Sequence, residues 1–253
     1  MKIKNILLYS GLLFLLSIIF IISCTKDKLK KNTPVTPPVD STNSSFVEEF
    51  NNVSDLRTKG WIFKNNSDPA GTNGWRQGLY EAAPSSKFPV PIIGFQAYSA
   101  SSSPNDFISC DASSVNLSGN ISTWLITPEL NIKNGDKIIF WARALDDRQY
   151  PIYTMDRMQI LMNTTGMPPD IGNSAVSTGN FSKLLLDINP SYIENDNGGF
   201  PIRWTYYSIT VRGLNAPVKA ARIAFRYLGT DAGVNGPNYA SVVGIDSLSF
   251  VSN

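Results

Sequence analysis

Two acidic residues in strand-like segments at opposite ends of the sequence are the first candidates for chemistry. Glu48 alternates with phenylalanines in the predicted strand 46–50, and Asp246 alternates with apolar residues in the predicted strand 242–251. An ionised carboxylate among apolar side chains is costly unless it is paired or coordinated. The two acids are therefore expected either to share a cation or to lie at sheet rims, where each is solvated or paired with arginine.

A structural Ca²⁺ is the favoured interpretation of these acids. Hard cations take oxygen ligands, and the chain contains no histidine that would favour a softer metal. The loop 65–74 offers further oxygen atoms from Asp68, Asn73 and backbone carbonyls. We expect these oxygen atoms and the two acids to form one calcium site.

The absence of histidine also removes most hydrolytic chemistry, because Ser-His-Asp and Cys-His sites each lose a component. A glycosidase with two carboxylates does not need histidine, and Asp146, Asp147 and Asp156 are the acids that would serve it. Adjacent residues of a strand point to opposite faces, so a solvated turn at 146–147 is favoured over an active site. The sequence therefore predicts a protein that is not an enzyme.

The N terminus predicts export. Lys2 and Lys4 precede an apolar run over 6–22, and Cys24 follows the run almost directly. This pattern resembles the signal of bacterial lipoproteins, in which the cysteine becomes the lipid-bearing first residue of the mature chain. An uncleaved membrane anchor is the alternative, since the run approaches the length of a membrane span.

The chain is therefore divided into a signal peptide over 1–23, a disordered tether over 24–45 that is rich in Lys, Pro, Ser and Thr, and one domain over 46–253. We expect a lipoprotein of the bacterial outer membrane, with its periplasmic or surface orientation left open. If Cys24 is lipidated, Cys110 has no partner within the chain, and it is predicted to be a small buried side chain.

The charge of the predicted domain argues against nucleic acid as a partner. The segment before Phe46 holds six of the 22 basic residues and two of the 20 acidic residues, which leaves 16 and 18 for the domain. Binding of nucleic acid requires a basic face that releases counterions. The domain has no such excess of positive charge.

The sequence of the domain predicts an all-β fold. β-branched and aromatic residues dominate short runs that polar loops separate, and no long stretch shows helical apolar spacing. About ten strands of this kind predict a two-sheet sandwich, with Trp124 and Trp141 assigned to its core. The predicted strands are 46–50, 60–64, 92–98, 121–126, 137–144, 156–163, 183–188, 203–212, 221–228 and 242–251.

The order of several short segments along 46–253 resembles the choice-of-anchor J domain family, which is similar to the cleaved-adhesin domains of bacterial surface proteins. These segments are EEF at 48–50, GW at 60–61, GW at 74–75, WLITPEL at 124–130, IIFWARA at 138–144, DRMQILM at 156–162, WTYYSITV at 204–211, RIAFRYLG at 222–229 and GIDSLSF at 244–250.

The resemblance implies a single jelly-roll β-sandwich of the galactose-binding-like or MAM-like kind, often with a structural calcium. The family's acid before the first core Phe falls on Glu48 or Glu49, and the Asp of its closing Gly-Ile-Asp segment falls on Asp246. Many relatives have a second acid after that Asp, where this chain has Ser247. The resemblance therefore adds Glu49 to the candidate calcium ligands.

Ligand recognition is expected in the loops, where tyrosine, asparagine and arginine can stack on a sugar ring and bind its hydroxyls. Trp75 follows a Gly-rich loop and is a candidate stacking platform, although packing beside the expected calcium ion is the favoured alternative. The other candidates are Arg148, Tyr150 and Tyr153 in the loop 145–155, and Asn238 and Tyr239 in the loop 229–240.

These features favour a lipid-anchored, non-catalytic envelope module that binds a glycan or an envelope protein. The first alternative is a structural or assembly component of an envelope complex. A glycoside-active enzyme with two carboxylates is the least favoured.

Overall fold

The computed structural model describes residues 45–80, 94–148, 153–236 and 240–253. Its strands are β1 (Phe46–Glu48), β2 (Ile62–Asn65), β3 (Asp68–Ala70), β4 (Arg76–Gln77), β5 (Ile108–Asp111), β6 (Val115–Ile126), β7 (Leu130–Ile132), β8 (Lys137–Ala144), β9 (Arg157–Asn163), β10 (Lys183–Ile188), β11 (Thr205–Thr210), β12 (Val218–Ala232) and β13 (Val242–Val251). The helical segments are short 3₁₀ turns at Val53–Arg57, Ala112–Ser114 and Asn195–Asn197.

The strands form two antiparallel sheets. Sheet A has the order β11–β8–β13–β5–β4, with β1 also paired to β13. Sheet B has the order β10–β9–β12–β6–β2, with β3 paired to β6 and β7 paired to β12. Most consecutive long strands cross from one sheet to the other, which confirms the predicted jelly-roll β-sandwich.

The core lies between the inner faces of the two sheets. Strand β8 alternates strictly, with every second residue from Ile138 to Ala144 buried, and β9 and β12 contribute the facing apolar side chains. The rings of Phe140 and Phe225 meet edge to face across the sandwich, with centroids 5.1 Å apart. The thiol of Cys110 is also buried here, and burial raises its pKa well above the ordinary value.

Each sheet also has an outer face on which a loop packs. The segment 94–107 lies on sheet A, where Phe95 and Phe107 contact each other and the ring of Trp204. A segment between β9 and β10 lies on sheet B, where Phe181 contacts Trp124. Trp124 is thus buried as predicted, but beneath this loop and not between the sheets.

Most strand predictions are confirmed, and those for β8, β10 and β13 match at both ends. The predicted strand at 92–98 is wrong over its described part, because residues 94–98 form no strand and pack on sheet A through Phe95. Within the described ranges, no helical segment has the length and apolarity needed to cross a bilayer.

Candidate ligand-binding face

A one-residue bulge in β13 decides where Asp246 points. Asp246 pairs with Trp141 and Ser249 pairs with Ile139, so two β13 residues stand opposite one residue of β8. Ser247 takes a left-handed φ of 46° at this point. The bulge turns Asp246 to the outer face of sheet A, beside Trp141, while Leu248 faces the core.

The prediction that Glu48 lies beside Asp246 is wrong, because the bulge places Asp246 on the outer face. Glu48 pairs with Leu248 and so shares the inner-face parity, whereas the adjacent Glu49 follows the outer one. Glu48 instead forms an ion pair with Lys59 at 3.1 Å and accepts a hydrogen bond from the amide of Phe50. Phe46 pairs with Phe250 in the same register.

Glu49 and Asp246 are joined through two serine hydroxyls. Glu49 Oε2 accepts from Ser99 Oγ at 2.5 Å and from Ser247 Oγ at 2.6 Å. The Ser99 hydroxyl also lies 3.3 Å from Asp246 Oδ1. The two carboxylates and the two hydroxyls form a compact cluster, which we call the acid pair.

Asp246 is fully buried and is held by backbone amides. Its Oδ2 accepts from the amides of Tyr98 and Ser99 at 2.8 and 3.0 Å, and its Oδ1 accepts from the amide of Ser247 at 2.7 Å. Burial raises the pKa of Asp246 to about 6, against the lowering effect of these hydrogen bonds, and the charge of Glu49 adds to the rise.

A second acid shapes the loop that carries Tyr98 and Ser99. The carboxylate of Asp106 accepts the backbone amides of Ser101, Ser102 and Ser103 at 2.8–3.1 Å. Burial raises the pKa of Asp106, but the hydrogen bonds from these serines outweigh that effect, and its pKa falls below the ordinary value. The loop is therefore tied at one end to Asp106 and at the other to Asp246.

The loop reaches the sheet closely because β13 has a glycine beneath it. A Cβ at Gly244 would lie 2.7 Å from Phe95 and 3.0 Å from Phe107. Arg143 packs over the Phe95 ring at 4.3 Å and donates to the carbonyl of Ile202 at 2.6 Å. Burial lowers the pKa of Arg143 to about 10.

Four aromatic side chains form a surface over the acid pair, which we call the aromatic shelf. Tyr98 stacks on Trp141 with ring centroids 3.8 Å apart and an interplanar angle of 18°. Tyr206 meets Trp141 at 5.5 Å, and Trp204 meets Tyr98 at 6.5 Å. Tyr98 is 45% exposed and Tyr206 is 51% exposed, while both tryptophans are half-buried. Trp141 therefore belongs to the outer face and not to the predicted core.

The remaining predicted calcium ligands have other partners. Asn73 donates to Ser113 at 2.8 Å, and Asp68 is an exposed residue of β3, paired with β6 of sheet B. Among the described residues, no three acids, histidines or cysteines come together to hold a metal ion. The structure thus brings together Glu49 and Asp246, and it leaves Asp68 and Asn73 on a different strand pair.

Trp75 is not a stacking platform. Its ring is only 6% exposed, and its Nε1 donates to the carbonyl of Thr123 at 3.3 Å. Arg148 forms a two-bonded ion pair with Asp146 on the surface, and Tyr153 is 61% exposed. Tyr150, Asn238, Tyr239 and Cys24 lie outside the described residues.

The predicted solvated turn at 146–147 is right for Asp146, which pairs with Arg148 at the surface, but Asp147 is buried. Asp156, the third acid of this group, is buried as well. Asp147 accepts from the amide and the hydroxyl of Thr154. Asp156 accepts from Tyr227 Oη at 2.5 Å, Asn195 Nδ2 at 2.6 Å and the Ser241 amide at 3.0 Å. Burial raises the pKa of Asp156. Both carboxylates are thus taken up by donors from the protein.

The aromatic shelf was not predicted as a site, although its residues carry a signal. In the segment WTYYSIT, Tyr206 and Tyr207 are adjacent, so one of them must leave the core face of the strand. Trp141 likewise alternates with the inner-face residues of β8. Period-2 alternation therefore indicates an outward aromatic row, but it does not reveal that Tyr98 stacks on it.

Comparison with known proteins finds resemblance in structure only. No family model matches the chain, and no curated protein matches its sequence. The K1 cleaved adhesin domain of Lys-gingipain from Porphyromonas gingivalis W83 is 19% identical and aligns over 83% of this chain and 99% of that domain, with a TM-score of 0.48. The K3 domain of the same protein is 17% identical over 82% of this chain and 98% of that domain, with a TM-score of 0.45.

A carbohydrate-binding module, TmCBM61, solved in complex with beta-1,4-galactotriose, is 12% identical. It aligns over 81% of this chain and 99% of the module, with a TM-score of 0.38. Likeness at these identities and scores does not establish a ligand or an activity for this chain.

Proposed function

We propose that this protein is a non-catalytic glycan-binding module and that the aromatic shelf is its binding surface. The observation that carries the proposal is the stacked pair of Tyr98 and Trp141, flanked by Tyr206, on an outer sheet face. The tyrosine, asparagine and arginine residues of the sequence predict recognition in the loops. The exposed aromatic surface favours the sheet face instead.

The shelf has the chemistry that a sugar ring requires. Aromatic rings present apolar faces, and tyrosine hydroxyls add hydrogen-bonding groups at the rim. The rings are preorganised, because two hydrogen bonds, from the amides of Tyr98 and Ser99 to Asp246, fix the loop that carries Tyr98. A rigid surface loses little conformational entropy when a ligand binds.

A glycan array followed by calorimetry tests this proposal. Trp141→Ala and Tyr206→Ala are each expected to weaken binding of the best glycan by about 2 kcal/mol, or about thirtyfold. Tyr153→Ala is the matched control, because Tyr153 is an exposed aromatic residue in a predicted recognition loop. Loss of binding in Tyr153→Ala alone would return recognition to the loops.

If the array finds no glycan and envelope proteins are retained in a pull-down, the glycan proposal is overturned. The alternative of a structural or assembly component would then replace it.

We also propose that the acid pair holds the predicted divalent cation. Two carboxylates and two serine hydroxyls are oxygen ligands of the kind that Ca²⁺ takes, and Ca²⁺ would neutralise the repulsion between Glu49 and Asp246. Backbone carbonyls or water would have to complete the usual ~6–8 ligands.

Neighbouring glutamates provide a matched test of the cation. Ca²⁺ is expected to raise the melting temperature of the wild type and of Glu48→Gln, but not of Glu49→Gln. At a hundredfold excess of Ca²⁺ over Kd the stabilisation is about 2.7 kcal/mol. An identical melting temperature with Ca²⁺ and with chelator in the wild type would contradict a bound cation.

For localisation, we propose an outer-membrane lipoprotein that is anchored through Cys24 and belongs with choice-of-anchor J proteins. The support is the charged start, the apolar run 6–22 and the order of segments along 46–253. Labelling with a fatty-acid analogue tests the anchor. Cys24→Ala is expected to lose the label, and Cys110→Ala, which changes the other cysteine, is expected to keep it.

A further inference from the structure

A cleft of about 730 Å³ opens beside the start of β10 and the start of β12, away from the residues of the aromatic shelf. Its walls come from the turn after β9, from Ser182 and Lys183, and from the segment 213–219. This volume lies within the ~300–1,000 Å³ that is typical of small-molecule sites. It is large enough for a short oligosaccharide.

The cleft is locally cationic in a domain that is otherwise close to neutral. Lys183 and Lys219 line it, Arg212 directly precedes the lining segment, and no acid is among the lining residues. Within the described part of the chain, none of these three cations forms an ion pair. Lys183 is half-buried as a residue, and it lines the cleft without an ion-pair partner among the described residues.

The ammonium group of Lys183 lies beside the opposite wall of the cleft. Lys183 and Gly213 both line the cleft, and a Cβ built on Gly213 would lie 3.5 Å from Lys183 Nζ. Thr164 and Ser182 add hydroxyl groups to the lining. Neither hydroxyl has a hydrogen-bond partner among the residues that the structure describes.

Both walls are held in place by asparagine side chains. Asn163 Oδ1 accepts from the amide and hydroxyl of Thr165 at 2.8 and 2.7 Å, which fixes the turn after β9. On the other wall, Asn134 Nδ2 donates to the carbonyl of Leu214 at 2.7 Å, and Asn134 Oδ1 accepts its amide at 3.0 Å. The cleft is therefore a preorganised site.

We infer that this cleft is a second binding site, which takes acidic oligosaccharides that carry uronate or sulfate groups. Lys183 and Lys219 would bind the anionic groups through charge-assisted hydrogen bonds, and the free hydroxyls of Thr164 and Ser182 would bind sugar hydroxyls. An anion with several sugar units also fits the volume better than inorganic sulfate. This inference uses residues separate from the aromatic shelf and does not depend on it.

Calorimetric titration with galacturonate and sulfated oligosaccharides tests the inference, with a neutral oligosaccharide of equal length beside them. We expect the acidic ligands to bind and the neutral one not to bind at this cleft. Lys183→Gln/Lys219→Gln should weaken binding about tenfold or more, since charge-assisted bonds are the strong ones. In the wild type, raising NaCl from about 0.05 M to about 0.5 M should also weaken binding of the acidic ligands, because salt screens exposed charges.

Lys64→Gln is the matched control, because Lys64 is an exposed lysine on β2 without an ion pair in the described residues. It should leave binding unchanged, as should Trp141→Ala. If the lysine double variant unfolds, Thr164→Val/Ser182→Ala is measured instead, and a severalfold loss of affinity is expected.

Three results would overturn the inference. They are no binding of any acidic oligosaccharide, equal binding of the neutral one through these lysines, and binding of anionic lipid vesicles or inorganic sulfate in preference to the oligosaccharides. Loss of the shelf's glycan binding in Trp141→Ala, with the cleft's binding retained, would separate the two sites.

Discussion

The outer faces of the two sheets are built from the same parts but differ in what they leave exposed. Each places a tryptophan from a central strand under a loop, and each has an arginine with a pKa that burial lowers to about 10. On sheet B, Arg226 packs on Trp124 at 5.0 Å and donates to the carbonyl of Ala175. On sheet A, Arg143 packs on Phe95 of the covering loop.

The difference lies in how far the loop covers the tryptophan. Trp124 is fully buried, with Phe181 at 5.6 Å and Ser122 accepting its Nε1 hydrogen. Trp141 remains half-buried and carries the exposed ring of Tyr98. A covered face of this kind contributes stability, whereas a partly covered face keeps aromatic area available to a ligand.

Replacing the two tryptophans should give the largest contrast. Trp124→Ala is expected to lower the free energy of unfolding by about 3–5 kcal/mol, because it opens a cavity under the sheet B loop. Trp141→Ala should cost only about 1–2 kcal/mol, since its side chain is half-buried and loses less buried area than that of Trp124. Urea denaturation measures both. Equal losses would show that the two faces are equally important for stability.

The titration of Asp246 should make the free energy of unfolding depend on pH. The pKa of Asp246 is raised from 3.8 to about 6, so the folded state binds the proton more tightly than the unfolded state. In chelator, its contribution is complete below about pH 4 and is lost as the pH rises through about 6, by at most about 3 kcal/mol.

Asp246→Asn should make the stability curve less steep between about pH 4 and about pH 6, because it removes one of the two buried acids with a raised pKa among the described residues, the other being Asp156. Denaturation at several pH values checks this, and Asp187→Asn on sheet B is the control. Burial raises the pKa of Asp187, but the bonds from Arg157 and Gln159 lower it below the ordinary value. An unchanged slope in Asp246→Asn would contradict the assignment.

Replacing the two arginines should loosen the two loops separately. Arg226→Met removes the donors to Ser122, Gln159 and the Ala175 carbonyl, and is expected to cost about 2 kcal/mol. Arg143→Met removes the bond to the Ile202 carbonyl and should cost about 1 kcal/mol. Hydrogen exchange should rise in 171–181 for the first variant and in 94–107 for the second. Exchange that rises in both loops in either variant would mean that the faces are coupled.

The smallest effect on stability is expected at the exposed rim of the shelf. Tyr206→Ala should change the free energy of unfolding by less than about 0.5 kcal/mol, because Tyr206 is half-exposed on the edge strand β11. Thermal denaturation measures the change. A large loss would show that Tyr206 supports the sheet and is not merely presented on it.

Alternation along the sequence predicts most of this fold. It places β8, β10 and β13 correctly and identifies the inner residues of β12, because one face of each strand is buried by the other sheet. Alternation assigns Trp141 to the wrong face, because a central strand carries aromatic residues on both faces when a loop covers its outer face. Alternation also does not identify the loop that covers the outer face.

The acid pair is predicted only in part for a similar reason. Asp246 is recognised as a buried acid, but strict alternation assigns it to the core and pairs it with Glu48. The bulge at Ser247 changes the face, and nothing local in the sequence marks it, since serine is not a residue that requires a left-handed φ. The position of Ser99 depends on a contact about 150 residues distant in sequence and has no local signature.

The extra residue at Ser247 lets a single strand serve two environments. Val243 and Ile245 before it, and Leu248 and Phe250 after it, all face the interior, although an uninterrupted strand would turn the second pair outward. Without this one serine, regular alternation would keep both apolar pairs inside, but the strand would lose the hydroxyl that donates to Glu49 and the turn whose amide donates to Asp246. The spacing between Asp246 and the C-terminal apolar residues is thus as much a part of the binding face as the side chains themselves.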